Sequence, residues 1–198
     1  EVLMRRVLFI VVTAALAAIM PVQAQQAPAP GAPAQGAPGG RAGGPPQAPP
    51  MIKQVKPGLY MVTGAGGNTT VRVDKDGIIV VDTKNRGDEN YNALMEQIRT
   101  VSQAPIRYVF ITHHHQDHSG NIGNFVKAGA TVIATENLNK NLETYNPAQG
   151  KPEMAKITYT KDKKVKVGKA KAEAHYFGRG HTSGDTFVWF PDVKVLSA

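Results

Sequence analysis

Phe110–Asn121 reads FITHHHQDHSGN, and four of the six positions from His113 to His118 are histidine. Asp117 is a fifth potential metal ligand in the same window, directly behind the apolar run IRYVFIT at residues 106–112. A short apolar run without clean alternation predicts a strand buried on both faces between layers. The polar cluster therefore sits where a buried strand surfaces, the usual place for side chains that meet a ligand. In extended backbone, residues two apart project to one side, so His113 and His115 can reach one point together. Asp117 and His118 follow the extended pair, where a turn into the next helix aims them at a second point nearby. His114 points away from its neighbours and reads as a solvent or packing residue.

A second signal lies far downstream in GRGHTSGD, residues 178–185, where His181 sits among Gly178, Gly180 and Gly184. Glycines let a backbone bend sharply and approach other groups closely, as a ligand-bearing loop between strands must. His181 is the natural third ligand beside His113 and His115: three protein ligands leave a metal one open position, the pattern of a catalytic site. Imidazole with carboxylate suits Zn2+, and Fe or Mn would accept the same donors. An artificial tag does not explain the cluster, which is internal and interrupted by Gln116 and Asp117. His175, within the alternating run KAEAHYF, reads as an ordinary strand residue.

Outward from these motifs the texture is mixed. IKQVKPGLYMVTG and NTTVRVDKDGIIVVDTK are β-type, and Asp74-Lys75-Asp76-Gly77 between two β-branched runs marks a hairpin. Tyr91, Leu94, Met95, Ile98 and Val101 recur every three or four residues, which predicts an amphipathic helix over 88–101. A second helix is expected from Ser119, a strand at TVIAT from Thr131, and a third helix over 136–145. After a Pro- and Gly-containing loop at 146–152 come strands at KITYT, KKVKVG, KAEAHYF, TFVWF and, at 193–196, VKVL. Strand and helix in alternation imply a layered α/β domain.

The first quarter differs in kind. Arg5-Arg6, the apolar run Val7 to Met20 and the sequence PVQA before Gln25 predict a secretory signal peptide over 1–24, with Met4 as the start. An apolar run of about 14 residues is short of the roughly 20 needed to span a bilayer. Any membrane contact is then expected only through an uncleaved signal segment. Residues 25–50 are nearly all Gln, Ala, Pro and Gly, a tether that cannot bury enough apolar area to offset its ordering entropy. One folded domain over 51–198, about 150 residues, remains. There is no cysteine, which excludes disulfides and thiolate chemistry. The formal charge is +8, or +7 once Glu1, Arg5 and Arg6 leave with the leader.

In order and spacing, VVDT with Asp82, the helix, ITHHHQDHSGN and GRGHTSGDTFVWFPDVKVL resemble the metallo-β-lactamase-fold hydrolases, from about Ile52 to the end of the chain. The resemblance implies an αββα four-layer sandwich with metals at one edge of its two sheets. It matches His113, His115 and His181 to the first metal, and Asp117 and His118 to the second. Asp117 is also matched to the group that orients or deprotonates the attacking water, and Asp82 to a structural aspartate; a strand-end turn is the plainer reading of Asp82. The family pattern continues into a Gly-Asp step and a later histidine, neither reached before Ala198, so the resemblance predicts a domain incomplete at its C-terminus.

The function these features predict is that of an exported, periplasmic or secreted metallo-hydrolase. It would use metal-activated hydroxide on an amide, ester or thioester of a small molecule, as β-lactamases and glyoxalase II do. Other readings are a non-catalytic metal-binding fragment, or a phosphodiesterase, nuclease or sulfur dioxygenase of the same fold. Nucleic acid is not an expected partner: the lysines between Lys161 and Lys171 alternate along a strand and make a solvated face.

Overall fold

The computed structural model describes residues 48–145, 150 and 152–198. The predicted signal segment and the tether up to residue 47 lie outside the described residues, as does most of the loop at 146–151.

Four strands open the domain as an antiparallel meander: β1 (Met51–Lys56), β2 (Leu59–Thr63), β3 (Thr69–Asp74) and β4 (Gly77–Val81). The predicted hairpin is there, with Asp74 paired to Gly77 across Lys75-Asp76. The chain then turns to parallel pairing. Helix α1 (Asp88–Arg99) leads to β5 (Ile106–Phe110). The short helices α2 (Gln116–Ser119) and α3 (Ile122–Lys127) lead to β6 (Thr131–Thr135), and α4 (Glu136–Thr144) to β7 (Ile157–Tyr159). These seven strands form one sheet in sequence order, parallel from β4 onward. A second, antiparallel sheet in the order β11-β10-β9-β8 is built from β8 (Asp162–Val167), β9 (Ala170–His175), β10 (Phe187–Phe190) and β11 (Val195–Ser197).

Residue alternation in β4 builds two cores at once. Ile78 and Val80 face Leu94, Ile98, Phe125 and Leu138 of the helices, whereas Ile79 and Val81 face Ala172, Ala174, Val188 and Phe190 of the second sheet. All of these side chains are buried, and each large one contributes about 1.5–3 kcal/mol on leaving water. The described residues thus stack as helices, seven-stranded sheet and four-stranded sheet, consistent with the αββα sandwich. Lys164, Lys166 and Lys171 are exposed, as a solvated face requires.

Small shifts of other element ends aside, three features depart from the sequence reading. The helix expected from Ser119 starts at Gln116 and breaks at Gly120-Asn121, because Asn121 is tied to the loop after β4: Nδ2 donates to the carbonyls of Thr83 (2.9 Å) and Asn85 (2.6 Å). The strand expected at 193–196 begins at Val195, since Val193 and Lys194 belong to a turn in which Lys194 has φ 56°. Finally, only the end of IRYVFIT is buried on both faces; Arg107 is exposed.

Candidate metal centre

The site lies beyond the carboxyl ends of the parallel strands β4 and β5, where chain reversals in an α/β sheet leave a crevice. Beyond β5 the chain bends at Thr112 and His114 before reaching His115, whose extended backbone, φ −61° and ψ 146°, places it at the mouth of α2. The carbonyl of His115 accepts from the amides of His118 (3.0 Å) and Ser119 (2.9 Å), and Ser119 Oγ donates to the carbonyls of His114 (2.9 Å) and His115 (3.0 Å). That knot reverses the chain immediately after the two histidines and presents Asp117 and His118.

His113, His115 and His181 converge. A ligand atom from each lies within 4.8 Å of the others. Their ring centroids form a nearly equilateral triangle with sides of 4.9, 5.0 and 4.9 Å, and the rings stand 81°, 79° and 76° to one another. His115 Nδ1 and His181 Nε2 are 3.1 Å apart. Three imidazole nitrogens brought this close together fit a divalent metal of borderline softness. Burial, with the neighbouring His118, His115 and His181 adding, pushes His113 down to about 4. At neutral pH its ring is uncharged and its lone pair free to donate.

His181 reaches the triangle on a tightly fixed loop. Asp185 accepts from the amide of Thr182 through both carboxylate oxygens (2.9 and 3.0 Å) and from Thr182 Oγ1 (2.5 Å); the Thr186 amide donates to the carbonyl of Thr112 (2.8 Å), fastening this loop to the end of β5. Gly184 lies against the start of α4, where a Cβ would fall 2.5 Å from the Leu138 nitrogen, so no larger residue fits.

The Asp117–His118 pair is held differently. The His113 and His118 centroids are 4.1 Å apart, which sets the pair beside the triangle. His118 Nδ1 lies 2.7 Å from Asp82 Oδ2, and His118 Nε2 lies 3.3 Å from Asp117 Oδ2. Asp82 is 2% exposed and has φ 68°; it also accepts from the amide (2.7 Å) and hydroxyl (2.8 Å) of Thr112. With both Asp82 oxygens occupied, His118 carries its proton on Nδ1 and turns Nε2 toward Asp117, the arrangement by which an outer carboxylate orients a metal-binding histidine. Burial works against the charged form of His118, but the hydrogen bond and charge of Asp82 outweigh it and raise the pKa above its ordinary value.

His114 is not one of the three that converge: its ring stands edge-on to Tyr145, with centroids 5.3 Å apart, and lies against the side of the His115 ring at 4.7 Å. His175 is a strand residue whose Nδ1 sits 2.6 Å from Asp162. Thr112, Asp185 and Lys84 were not singled out by the sequence. A threonine three residues before an aspartate, as in Thr182 and Asp185, is a local turn signal; nothing local marks Thr112. A cleft of about 400 Å³ opens beside the histidines, walled by Phe177, Arg179 and Phe187 together with His113, His118 and His181.

Residues 62–198 match the family model of the metallo-beta-lactamase superfamily. The chain belongs to the metallo-beta-lactamase superfamily. It is similar to metallo-beta-lactamase type 2 of Elizabethkingia meningoseptica, 29% identical over 153 residues, covering 73% of this chain and 59% of that protein. Metallo-beta-lactamase IND-1 of Chryseobacterium indologenes is 30% identical over 129 residues, covering 65% of this chain and 52% of the relative. Among solved structures, metallo-beta-lactamase IND-7 superposes with a TM-score of 0.64 at 25% identity, over 75% of this chain and 69% of that one. The chain thus spans between half and three-fifths of the length of these two sequence relatives.

Proposed function

We propose that the protein is an exported metal-dependent hydrolase, periplasmic or secreted, that cleaves an amide, ester or thioester bond in a small molecule. The observation that carries this reading is the convergence of His113, His115 and His181 within 4.8 Å at the mouth of the cleft. Under this reading the three imidazoles hold one Zn2+, and Asp117 with His118 contribute to a second. A bound divalent metal supplies Lewis acidity and brings the pKa of water from about 15.7 to about 7, so hydroxide is available near neutrality.

The chain's own residues do the rest. Asp117, whose carboxylate is partly exposed, receives the proton of the attacking water and orients it toward the cleft. Asp82 keeps His118 in the tautomer that leaves Nε2 free. Phe177 and Phe187 form an apolar wall for the body of the substrate, and the exposed Arg179 stands at its rim, suited to an anionic group. The membership in a family whose named relatives are β-lactamases supports a cyclic amide as first substrate to try.

The test is metal content per chain, followed by turnover of a chromogenic cephalosporin, a thioester and a phosphodiester by the zinc-loaded protein expressed from its complete gene. Turnover of the first or second is expected. Metal bound without turnover of any of the three would replace the hydrolase with a metal-binding module, and turnover of the phosphodiester alone would move the substrate class.

A further inference from the structure

We propose that Lys84 is a positioning residue, whose buried ammonium acts through Gly67 to fix the imidazole of His118. This rests on reading His118 as a metal ligand, but its geometry is independent of any metal. Lys84 follows Asp82 by two residues and is fully buried, one of the largest fully buried side chains among the described residues. Its Nζ donates to the carbonyl of Val62 at the end of β2 (2.6 Å) and to the carbonyl of Gly67 (2.8 Å). A methionine would fill the same space without burying a charge, and a buried charge is disfavoured unless its partners do something an apolar group cannot.

What the ammonium holds is the loop between β2 and β3. Gly64, Ala65 and Gly66 have φ of 77°, 52° and 119°, and no side chain in this stretch is longer than a methyl group. Apart from the buried methyl group of Ala65 such a loop has little apolar surface to fix its position, so hydrogen bonds carry most of that task. The Ala65 amide donates to Ala48, the Asn85 amide to the Ala65 carbonyl, and the Gly67 amide to the Asp117 carbonyl, each at 3.0 Å. Lys84 takes the remaining polar group of Gly67. With both polar groups of that residue tied, its Cα is pressed on the His118 ring: a Cβ at position 67 would fall 2.5 Å from both Nε2 and Cε1. His118 is thereby clamped between the Asp82 carboxylate on Nδ1 and the Gly67 backbone beside Nε2. Residue 84 reaches the same segment a second way, since its own carbonyl accepts from the Gly120 amide (3.2 Å). That contact survives any change of side chain.

The test compares two histidines in one metal-free chain by 15N–1H correlation of their ring nitrogens, in the wild type and in Lys84→Met. His118 and His175 each have Nδ1 against an aspartate, at 2.7 and 2.6 Å. Only His118 is beside Gly67. Selective broadening or displacement of the His118 ring signals, with His175 unchanged, is the expected result. An unchanged His118, or equal changes in both histidines, would overturn the proposal. Should Lys84→Met fail to fold, Lys84→Ala, whose side chain reaches neither carbonyl, is read by the same criterion. In zinc titrations of the folded variant, the second equivalent should bind about tenfold more weakly and the first within about threefold of wild type. Failure of the wild type to bind zinc would defeat the proposed function and leave the metal-free comparison standing.

Discussion

The His113–His115–His181 triangle and the Asp117–His118 pair are neighbours built on opposite plans. The triangle is joined by sequence-distant loops, with His115 and His181 66 residues apart, and its rings meet one another with little else between them. The pair is contiguous in sequence and presented by its own local turn, yet what orients the His118 ring comes from elsewhere: Asp82, Thr112 and Gly67. The difference teaches that the triangle is defined by the convergence of its own rings and the pair by its supports. Removing a ligand should therefore damage the first, and removing a support the second.

The largest effect expected is at the triangle. His181→Ala should reduce tightly bound zinc to less than about a tenth of wild type, read by elemental analysis after dialysis, because two imidazoles alone do not make a closed three-ligand set. His114→Ala, one residue from two of the ligands, serves as its control.

Next is a pH effect confined to the pair's supports. Burial lowers Lys84 from 10.5 to about 8, with Asp82 opposing the shift. Below pH 8 both folded and unfolded chains carry this proton and the cost of burying the charge is full. Between about 8 and 10.5 the folded chain releases it first, the unfolded chain binds more protons, and stability rises with pH. Relative to Lys84→Met, the wild type should gain about 3 kcal/mol across that window, measured by urea unfolding at several pH values. A flat difference would mean that Lys84 is not buried as a cation.

Asp82→Asn should then weaken the second equivalent of zinc about 10- to 100-fold and leave the first nearly unchanged, the usual consequence of losing an outer carboxylate on a ligand histidine. Equal loss at both equivalents would erase the distinction between the two halves. The smallest effect is that of His114→Ala, whose ring packs on Tyr145: zinc affinity should stay within about threefold of wild type.

These contrasts also mark what could be read from the sequence. The period-two rule was enough to pair His113 with His115 and to set His114 aside, because both facts follow from a chain leaving a strand. His181 was legible from its glycines, since a loop that must approach closely leaves that trace in composition. The meander hairpin and α1 were legible for the same reason: turn chemistry and helical period are local. The support of the pair was legible only in part: the resemblance matched Asp82 to a structural aspartate but gave it no partner. Asp82 reaches His118 across 36 residues, and Lys84, three residues beyond an apolar strand, gives no sign that its side chain points inward to two carbonyls. The broken helix at Gly120-Asn121 escaped likewise, as its cause is a side chain bonded to a loop 36 and 38 residues away.

The central claim, that three imidazoles hold one metal, is tested most directly by zinc K-edge X-ray absorption on protein loaded with one equivalent. Three histidine shells at about 2.0–2.1 Å in the wild type, reduced by one in His181→Ala, are the predicted result. A spectrum with fewer than three imidazoles, or one that His181→Ala does not alter, would contradict it.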